Sequence, residues 1–525
     1  MQHTASKKKT GLFMRFVQLV EALGNRLPHP LYLYVVLIVL VLVISSLCAS
    51  AGISATYEQV DPATGELTTV TVQAVDLLSR HSLQTILANW VNAYDANTVL
   101  PAIMAITMFV SIADRSGLFS AAMHRLLLVM GKSRWITTYV LALAGVCSTI
   151  MADAGVVLAV SLGAVVFKSV GRNPWLGIMV GYGAGSVGFC ANLFPANTDV
   201  LSSTITNSVS IPLGIEISPL CNYYFKIVAA LLLSAAIAVV CETFLVKLLG
   251  DTPSSGGGED EEVPELSTAE RRGLHFAGIA LLILVAGILA LSLPRDGFFR
   301  NDAGELLTQS PLVSSLAALL CILFLFLGVS YGIGSGTIAS PRDVPQMMGE
   351  GIKGLAGLIV NFFPIALLVY VFGMSNLANV LAVAGEKFFR SIGLTGLPML
   401  CVFAVVVGVS GLFMYGGSSR WAIFAPVFIP MFLRLDLHPI LTQLAYRIGD
   451  SWSANITPLN ACLVITLTMM EHHRNPEINP DPPGLGTILA AQIPISLACL
   501  VLFLLELCAF VLLGISPGPD VLTMP

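Results

Sequence analysis

Residues 447–458 read Arg-Ile-Gly-Asp-Ser-Trp-Ser-Ala-Asn-Ile-Thr-Pro. They place Arg447 and Asp450 between two apolar runs, Leu437–Tyr446 and Ser451–Met470, and bring a proline at Pro458. A charge at membrane depth costs roughly 2.5–3.5 kcal/mol on insertion scales and usually marks a pathway or a site. Irregular backbone there is tolerated only where it packs in protein or faces a water-filled cavity. Three more stretches combine an intramembrane charge with helix breakers: Ser148-Thr-Ile-Met-Ala-Asp-Ala-Gly155, Phe189-Cys-Ala-Asn-Leu-Phe-Pro-Ala-Asn-Thr-Asp199, and Gly416-Gly-Ser-Ser-Arg-Trp421 with Pro426. Two lie in each half of the chain. Paired interruptions of this kind point to a transporter built from inverted repeats. The repeat is one of pattern, without residue-by-residue identity between the halves.

The surrounding sequence is membrane-like throughout. Of 525 residues 56% are hydrophobic and 11% charged, whereas soluble domains carry about 25% charged residues. The fold class expected is an all-α polytopic membrane protein with about nine transmembrane helices, plus segments too broken to cross cleanly. Residues 1–30 read as a cytoplasmic tail carrying Lys7, Lys8, Lys9, Arg15 and Arg26, followed by an uncleaved first span, Leu31–Ala49. The polar stretch Glu58–Asp95 holds one basic residue, Arg80, so the basic tail places the N-terminus inside. Residues 31–250 form a first transmembrane half, 251–272 an acidic Gly/Ser linker that cannot bury a core, and 273–525 a second half. Thr487–Leu513 is the last span, with Glu506 inside it.

Several function classes fall away. Net charge is −5 with no basic tract beyond Lys7–Lys9, which argues against nucleic acid. The ten cysteines form no CxxC pair and sit mostly in apolar runs, as buried small hydrophobes do. Met470-Glu-His-His-Arg474 lacks the HExxH spacing of a zinc site, and neither a G-x-S-x-G elbow nor a P-loop is present. An intramembrane aspartyl protease calls for Gly-x-Gly-Asp, where this chain has Arg447-Ile-Gly-Asp450. The reading is therefore no enzyme, no cofactor and no metal, and any pumping uses an ion gradient or a partner. Plainer structural roles stand beside the functional ones. Glu242 and Glu506, near span ends, read as snorkelling or paired. Asp153 reads equally as a cap, and Trp421 as an interfacial anchor. Arg447 and Asp450, three residues apart on one helix face, read as mutually neutralising. An ion channel, with the broken segments as its filter, or another gradient-coupled carboxylate carrier is the alternative.

At these motifs the chain resembles the AbgT family, the p-aminobenzoyl-glutamate transporters and their antimetabolite-exporting relatives. The resemblance runs over nearly the whole chain: Val20-Glu-Ala-Leu-Gly-Asn-Arg-Leu-Pro-His-Pro30, Ala113-Asp-Arg-Ser-Gly117, Asp153-Ala154, Ala191-Asn-Leu193 and Thr198-Asp-Val-Leu201. It is strongest at Trp421 with Ala425-Pro-Val-Phe-Ile-Pro-Met-Phe432 and at Tyr446-Arg-Ile-Gly-Asp-Ser451, and it closes with Gly514-Ile-Ser-Pro-Gly-Pro519. Departures are Phe372-Gly-Met-Ser-Asn376, Ala152-Asp-Ala154 and the bulky cation Arg420. The resemblance implies a homodimer whose subunits each have nine transmembrane helices and two re-entrant hairpins. Its functional positions fall on Asp199, Ser418, Trp421, Arg447 and Asp450.

The expected site follows. A solute such as p-aminobenzoyl-glutamate, or a sulfonamide-like relative, brings an aromatic ring and polar or anionic groups. Arg447 would hold a carboxylate, with Asp450 orienting its guanidinium. Trp421 would stack on the ring, and Ser418 would hydrogen-bond at the Gly416-Gly417 tip. Asp199, with Asp153 second, would couple a proton or sodium ion. Asn192, Pro195, Gly416, Gly417, Pro426 and Pro458 would shape the broken helices. The expected partners are the solute, the coupling ion, membrane lipid and a second copy of the chain. The expected location is a cell (inner) membrane, multi-pass, with a cytoplasmic N-terminus.

Overall fold

The computed structural model describes residues 30–60, 67–92, 99–127, 133–251, 266–294, 296–301, 304, 310–354, 356–414, 416–474 and 482–519. The basic tail 1–29 and the centre of the acidic linker, 252–265, lie outside the described residues. Apolar sequence becomes helix almost everywhere. The helices that matter here are α1 (Val99–Arg115), α2 (Arg134–Cys147), α3 (Ala152–Ser169), α4 (Pro174–Val187), α5 (Asn197–Ser210), α6 (Tyr223–Val240), α7 (Thr268–Ser292), α8 (Leu316–Ser335), α9 (Gly396–Gly411), α10 (Gly417–Leu433), α11 (Pro439–Ser453), α12 (Ala461–His472) and α13 (Leu485–Leu512). Two antiparallel strands, β1 (Ser54–Val60) and β2 (Leu67–Gln73), pair from Ser54 opposite Gln73 to Val60 opposite Leu67. No strand was expected in that polar stretch. Its run of Thr and Val, Thr68-Thr-Val-Thr-Val72, carries the β-branched signal of a strand.

Among the described residues five helical stretches are long and apolar enough to cross a membrane, and six if one bent pair counts as a span. The expected nine are not all of that kind. The longest, Arg134–Ser169, in fact doubles back: Arg172, just beyond α3, donates to Thr138 at the start of α2 at 3.1 Å. Its two legs are therefore an antiparallel hairpin that turns at a short 3₁₀ segment, Ser148–Met151, where Ala152 takes the left-handed φ of 50°. The mouth of this hairpin is closed by charge. Arg172 contacts Glu242 at 2.7 Å and Asp251 at 3.0 Å, so Glu242 pairs, as the plainer reading held. The second hairpin runs α9 to α10, with Phe403 of one leg 4.6 Å from Phe428 and 5.0 Å from Phe432 of the other.

Each hairpin is followed by a broken helix. In the first half α4 ends in a 3₁₀ turn, Gly188–Cys190, and α5 resumes at Asn197. In the second half α11 ends at Ser453 and α12 resumes at Ala461. All fourteen residues of α4 are buried. Asn173 caps it by accepting from the Trp175 amide at 3.0 Å, with Pro174 at the first helical position. Glycines let α3 lie directly on it, since a Cβ at Gly163 would strike the Gly177 carbonyl. One large core joins α2 to α6 with α9 to α13, while a smaller one joins α1, α7 and α8 through Ile106, Val110, Ala277, Phe324 and Tyr331. Ile150 and Val200, from the first hairpin tip and α5, belong to the smaller core, so the two packing units meet beside the breaks.

Candidate functional site

The two hairpin tips and the two breaks converge on one cavity of about 270 Å³, near the small end of the roughly 300–1,000 Å³ typical of ligand pockets. Thr149 and Asp153 come from the first tip, Gly416, Gly417 and Ser418 from the second, Asn197 and Ser202 from α5, and Tyr446, Arg447 and Asp450 from α11. Sequence reasoning therefore found the segments that build the wall. It found Asp153, Ser418, Arg447, Asp450, Gly416 and Gly417 on the wall itself, and not the way the charges pair.

Arg447 and Asp450 do not neutralise each other, and Asp450 does not orient the Arg447 guanidinium. Sharing a helix face, they reach sideways to different partners. Arg447 Nη1 lies 2.7 Å from Asp199 Oδ1, and its Nη2 donates to the Phe189 carbonyl at 2.8 Å. Asp450 Oδ1 lies 2.5 Å from Arg420 Nη2. Lys226 Nζ completes a triad, 2.7 Å from Asp199 Oδ1 and 2.5 Å from Oδ2. The same Oδ2 accepts from the Ala196 amide at 2.8 Å, at the start of α5. Both oxygens of Asp199 are thus engaged, and Asp199 is 2% exposed, Lys226 1% and Arg447 5%. The triad carries two positive charges and one negative, and Arg447 brings that excess to the cavity wall.

Arg420 and Lys226 were not assigned roles from the sequence. Both border apolar runs, and a lone cation at the edge of a span was a readable signal. Arg420 is 1% exposed; its Nε donates to the Tyr446 hydroxyl at 3.3 Å and its Nη1 to the Met414 carbonyl at 3.3 Å. It ties the second hairpin tip to α11. The Tyr446 hydroxyl also donates to the Gly417 carbonyl at 2.5 Å.

Trp421 is fully buried and off the wall, neither an interfacial anchor nor open to a solute ring. Its ring stacks on Tyr446 at 4.4 Å, so Tyr446 is the aromatic residue of this pair that reaches the cavity. Trp421 Nε1 donates to Thr206 of α5 at 3.0 Å, and Thr206 to Gln443 of α11 at 2.7 Å, which links hairpin and both broken helices. Asn192 lies in the first break, donating to Thr149 at 2.9 Å, and Pro195 lies in the same break. Pro458 lies in the second break. Pro426 does not mark a break: it sits with Pro430 inside the continuous helix α10, where tight packing offsets the lost backbone bond. Glu506 neither snorkels nor pairs. It is 5% exposed, and neither carboxyl oxygen has a hydrogen-bond partner among the described residues.

Comparison with known proteins gives the same picture over the full length. The model of the AbgT putative transporter family matches residues 15–524. The p-aminobenzoyl-glutamate transport protein of Escherichia coli (strain K12) is 31% identical over 504 residues, covering 96% of each chain. The YdaH transporter of Alcanivorax borkumensis superposes with a TM-score of 0.83 at 28% identity, covering 94% of this chain and 100% of that one. MtrF of Neisseria gonorrhoeae, described as illuminating a class of antimetabolite efflux pumps, superposes at 0.86 and 28% identity, over 94% and 97%. The fold class expected from the sequence holds, and with it the transport class: this is a multi-pass membrane transporter, not an enzyme. The chain belongs to the AbgT putative transporter family.

Proposed function

We propose that the chain is a secondary active transporter of p-aminobenzoyl-glutamate-like or sulfonamide-like aromatic solutes, driven by a proton or sodium gradient and working by alternating access. The observation that carries this reading is the Arg447 guanidinium, part of a buried triad with one positive charge in excess, on the wall of a cavity framed by two hairpin tips. A solute carboxylate meets Arg447, whose charge Asp199 shares with Lys226. Guanidinium donors suit a carboxylate better than an ammonium does, because they fork toward both oxygens. Ser418 and Asp450 offer polar contacts, and Tyr446, backed by Trp421, offers an aromatic one. Asp153, exposed at the first tip, is an acid open to a coupling ion. Movement of a hairpin against the broken helices would change the side to which the cavity opens. We read the two halves, 31–250 and 273–525, as the repeats, the linker 251–272 and the N-terminus as cytoplasmic, the membrane as the inner one, and the working unit as a homodimer.

The test is transport of labelled p-aminobenzoyl-glutamate into proteoliposomes under separately imposed proton and sodium gradients. Arg447→Ala should abolish accumulation, whereas Arg447→Lys, with the charge kept but the fork lost, should retain a fraction of it. Flux that never saturates with solute, or Arg447→Ala transporting like wild type, would overturn the reading.

A further inference from the structure

Asp199 is fully occupied, but the last long helix brings a second buried carboxyl to the same place without a partner. Glu506 lies between Phe503 and Phe510 on one face of α13. Phe503 and Phe510 both rest on Phe225 of α6, at 6.3 and 5.3 Å between ring centroids. Glu506 therefore faces α6 beside Lys226, the residue after Phe225. The polar contact of the carboxyl is the Ala229 backbone, one turn beyond Lys226 on the same face of α6, which falls short of hydrogen-bond geometry and brings no counter-charge. Cys190, in the break after α4, lies within electrostatic reach of Glu506 as well as of Lys226, Asp199 and Arg447, so the unpaired acid and the triad border the same residue. Cys401 of α9 meets α13 on another side, at Cys508. The C-terminal segment seals the end of this interface, with the Phe225 amide donating to the Pro517 carbonyl at 3.0 Å. A carboxylate sealed in this way without a counter-charge is very costly, and a neutral carboxylic acid far less so.

We propose that Glu506 is the proton-carrying residue of the transport cycle and that Lys226 is shared between it and Asp199. This rests on the transport reading above and commits it to protons. With Glu506 neutral, Lys226 sits on Asp199 and the triad keeps a net positive charge that a solute carboxylate can answer through Arg447. When the helices move in the opposite-facing state and water reaches Glu506, it gives its proton to that water and Lys226 swings to the new carboxylate. Asp199 then belongs to Arg447 alone, the group of four becomes neutral, and the solute is released. Proton and anionic solute thus favour each other's binding, which is the linkage a symporter needs.

The test pairs Glu506→Gln, which keeps the shape of the neutral acid, with wild type. Difference infrared spectra across a pH jump should show a protonated carboxylic C=O band in wild type that Glu506→Gln lacks. Its absence from wild type, or its persistence in the variant, overturns the proposal whatever the solute is. In proteoliposomes wild type should accumulate p-aminobenzoyl-glutamate when an inward proton gradient is imposed. Glu506 is off the cavity wall, so Glu506→Gln should still exchange solute between equal pools, lose gradient-driven accumulation, and bind solute with an affinity that no longer falls as pH rises. Gradient-driven accumulation by Glu506→Gln would overturn the proposal. Wild type that neither binds nor exchanges p-aminobenzoyl-glutamate would instead refute the solute assignment, leaving the infrared result to decide on Glu506.

Discussion

The buried triad makes a sharp energetic prediction. Asp199→Asn keeps a side-chain oxygen to accept from the Ala196 amide, so the loss it causes is one of charge and not of helix capping. It strands Lys226 and Arg447, both nearly fully buried and both within 2.7 Å of the carboxylate they lose. Two unit charges about 4 Å apart interact by about 4 kcal/mol at an effective dielectric constant of about 20. Breaking one buried pair by removing a partner typically costs about 3–5 kcal/mol. Asp199→Asn breaks two contacts and sets two cations facing each other, so we expect a loss at or above that range. Lys226→Met alone leaves Asp199 matched by Arg447 and should cost less. The double variant Asp199→Asn/Lys226→Met has one cation left, the same net charge as the wild-type triad, and should be more stable than Asp199→Asn alone by about 2 kcal/mol or more. The assay is reversible unfolding of purified protein in mixed micelles, read as a double-mutant cycle. If the two substitutions simply add, so that the double variant is the least stable of the set, the charges do not act together and the reasoning fails.

Other expectations follow from the same contacts. Arg420→Ala removes the tie between the second hairpin tip and α11 and leaves Asp450 facing the cavity unmatched; solute transport should fall at least tenfold, while Arg420→Lys, which keeps the Asp450 charge partner but not the contacts to Tyr446 and Met414, should recover part of it. Gly417→Ala puts a methyl group against the Asp450 carboxylate and should cost about 1–3 kcal/mol in the same unfolding assay, with transport impaired; a fully stable, active variant would show that the tip gives way freely. At the surface, the Asp343 carboxyl is held below its usual range by the Ser340 and Ala339 amides, each donating at 2.8 Å. Its contribution to the start of helix Asp343–Gly354 is complete above about pH 3.9 and is lost as pH falls through the lowered value. The protection of the first-turn amides, with exchange corrected for its intrinsic pH dependence, should therefore fall in acid, and Asp343→Asn should remove that fall.

How far the sequence reaches can be judged residue by residue. Charges beside glycine, proline and asparagine inside apolar runs mark both hairpin tips and both breaks, because those residues are tolerated at depth only where backbone packs in protein or faces a water-filled cavity. Partners were another matter. Spacing along one helix shows which side chains share a face, as Arg447 and Asp450 do, but not what the opposite helix presents. Here it presents Asp199 to the first and Arg420 to the second, from segments 248 and 30 residues away. Trp421 reads from the sequence as an anchor or a solute-stacking ring, since nothing in its neighbours announces that Tyr446 covers it. Glu506 looked like a span-end acid because α13 stops six residues later. Only the folded chain shows that the segment after it turns back to pair with the start of α6 and bury that end.

These misses have a common physical source, and it bears on how the molecule works. A hydrophobic pattern specifies which faces leave water, while an ion pair between helices depends on rotation and depth, which the pattern leaves free. The same freedom is what a transporter needs. The apolar contacts of α3 with α4, glycine against glycine backbone, fix those elements rigidly. The charged contacts of α5, α6, α10 and α11 are few and directional. Asp199 holds two cations where one would neutralise it, and Glu506 has none. On the proposal above, that imbalance is what a single proton would use to redistribute charge beside the cavity.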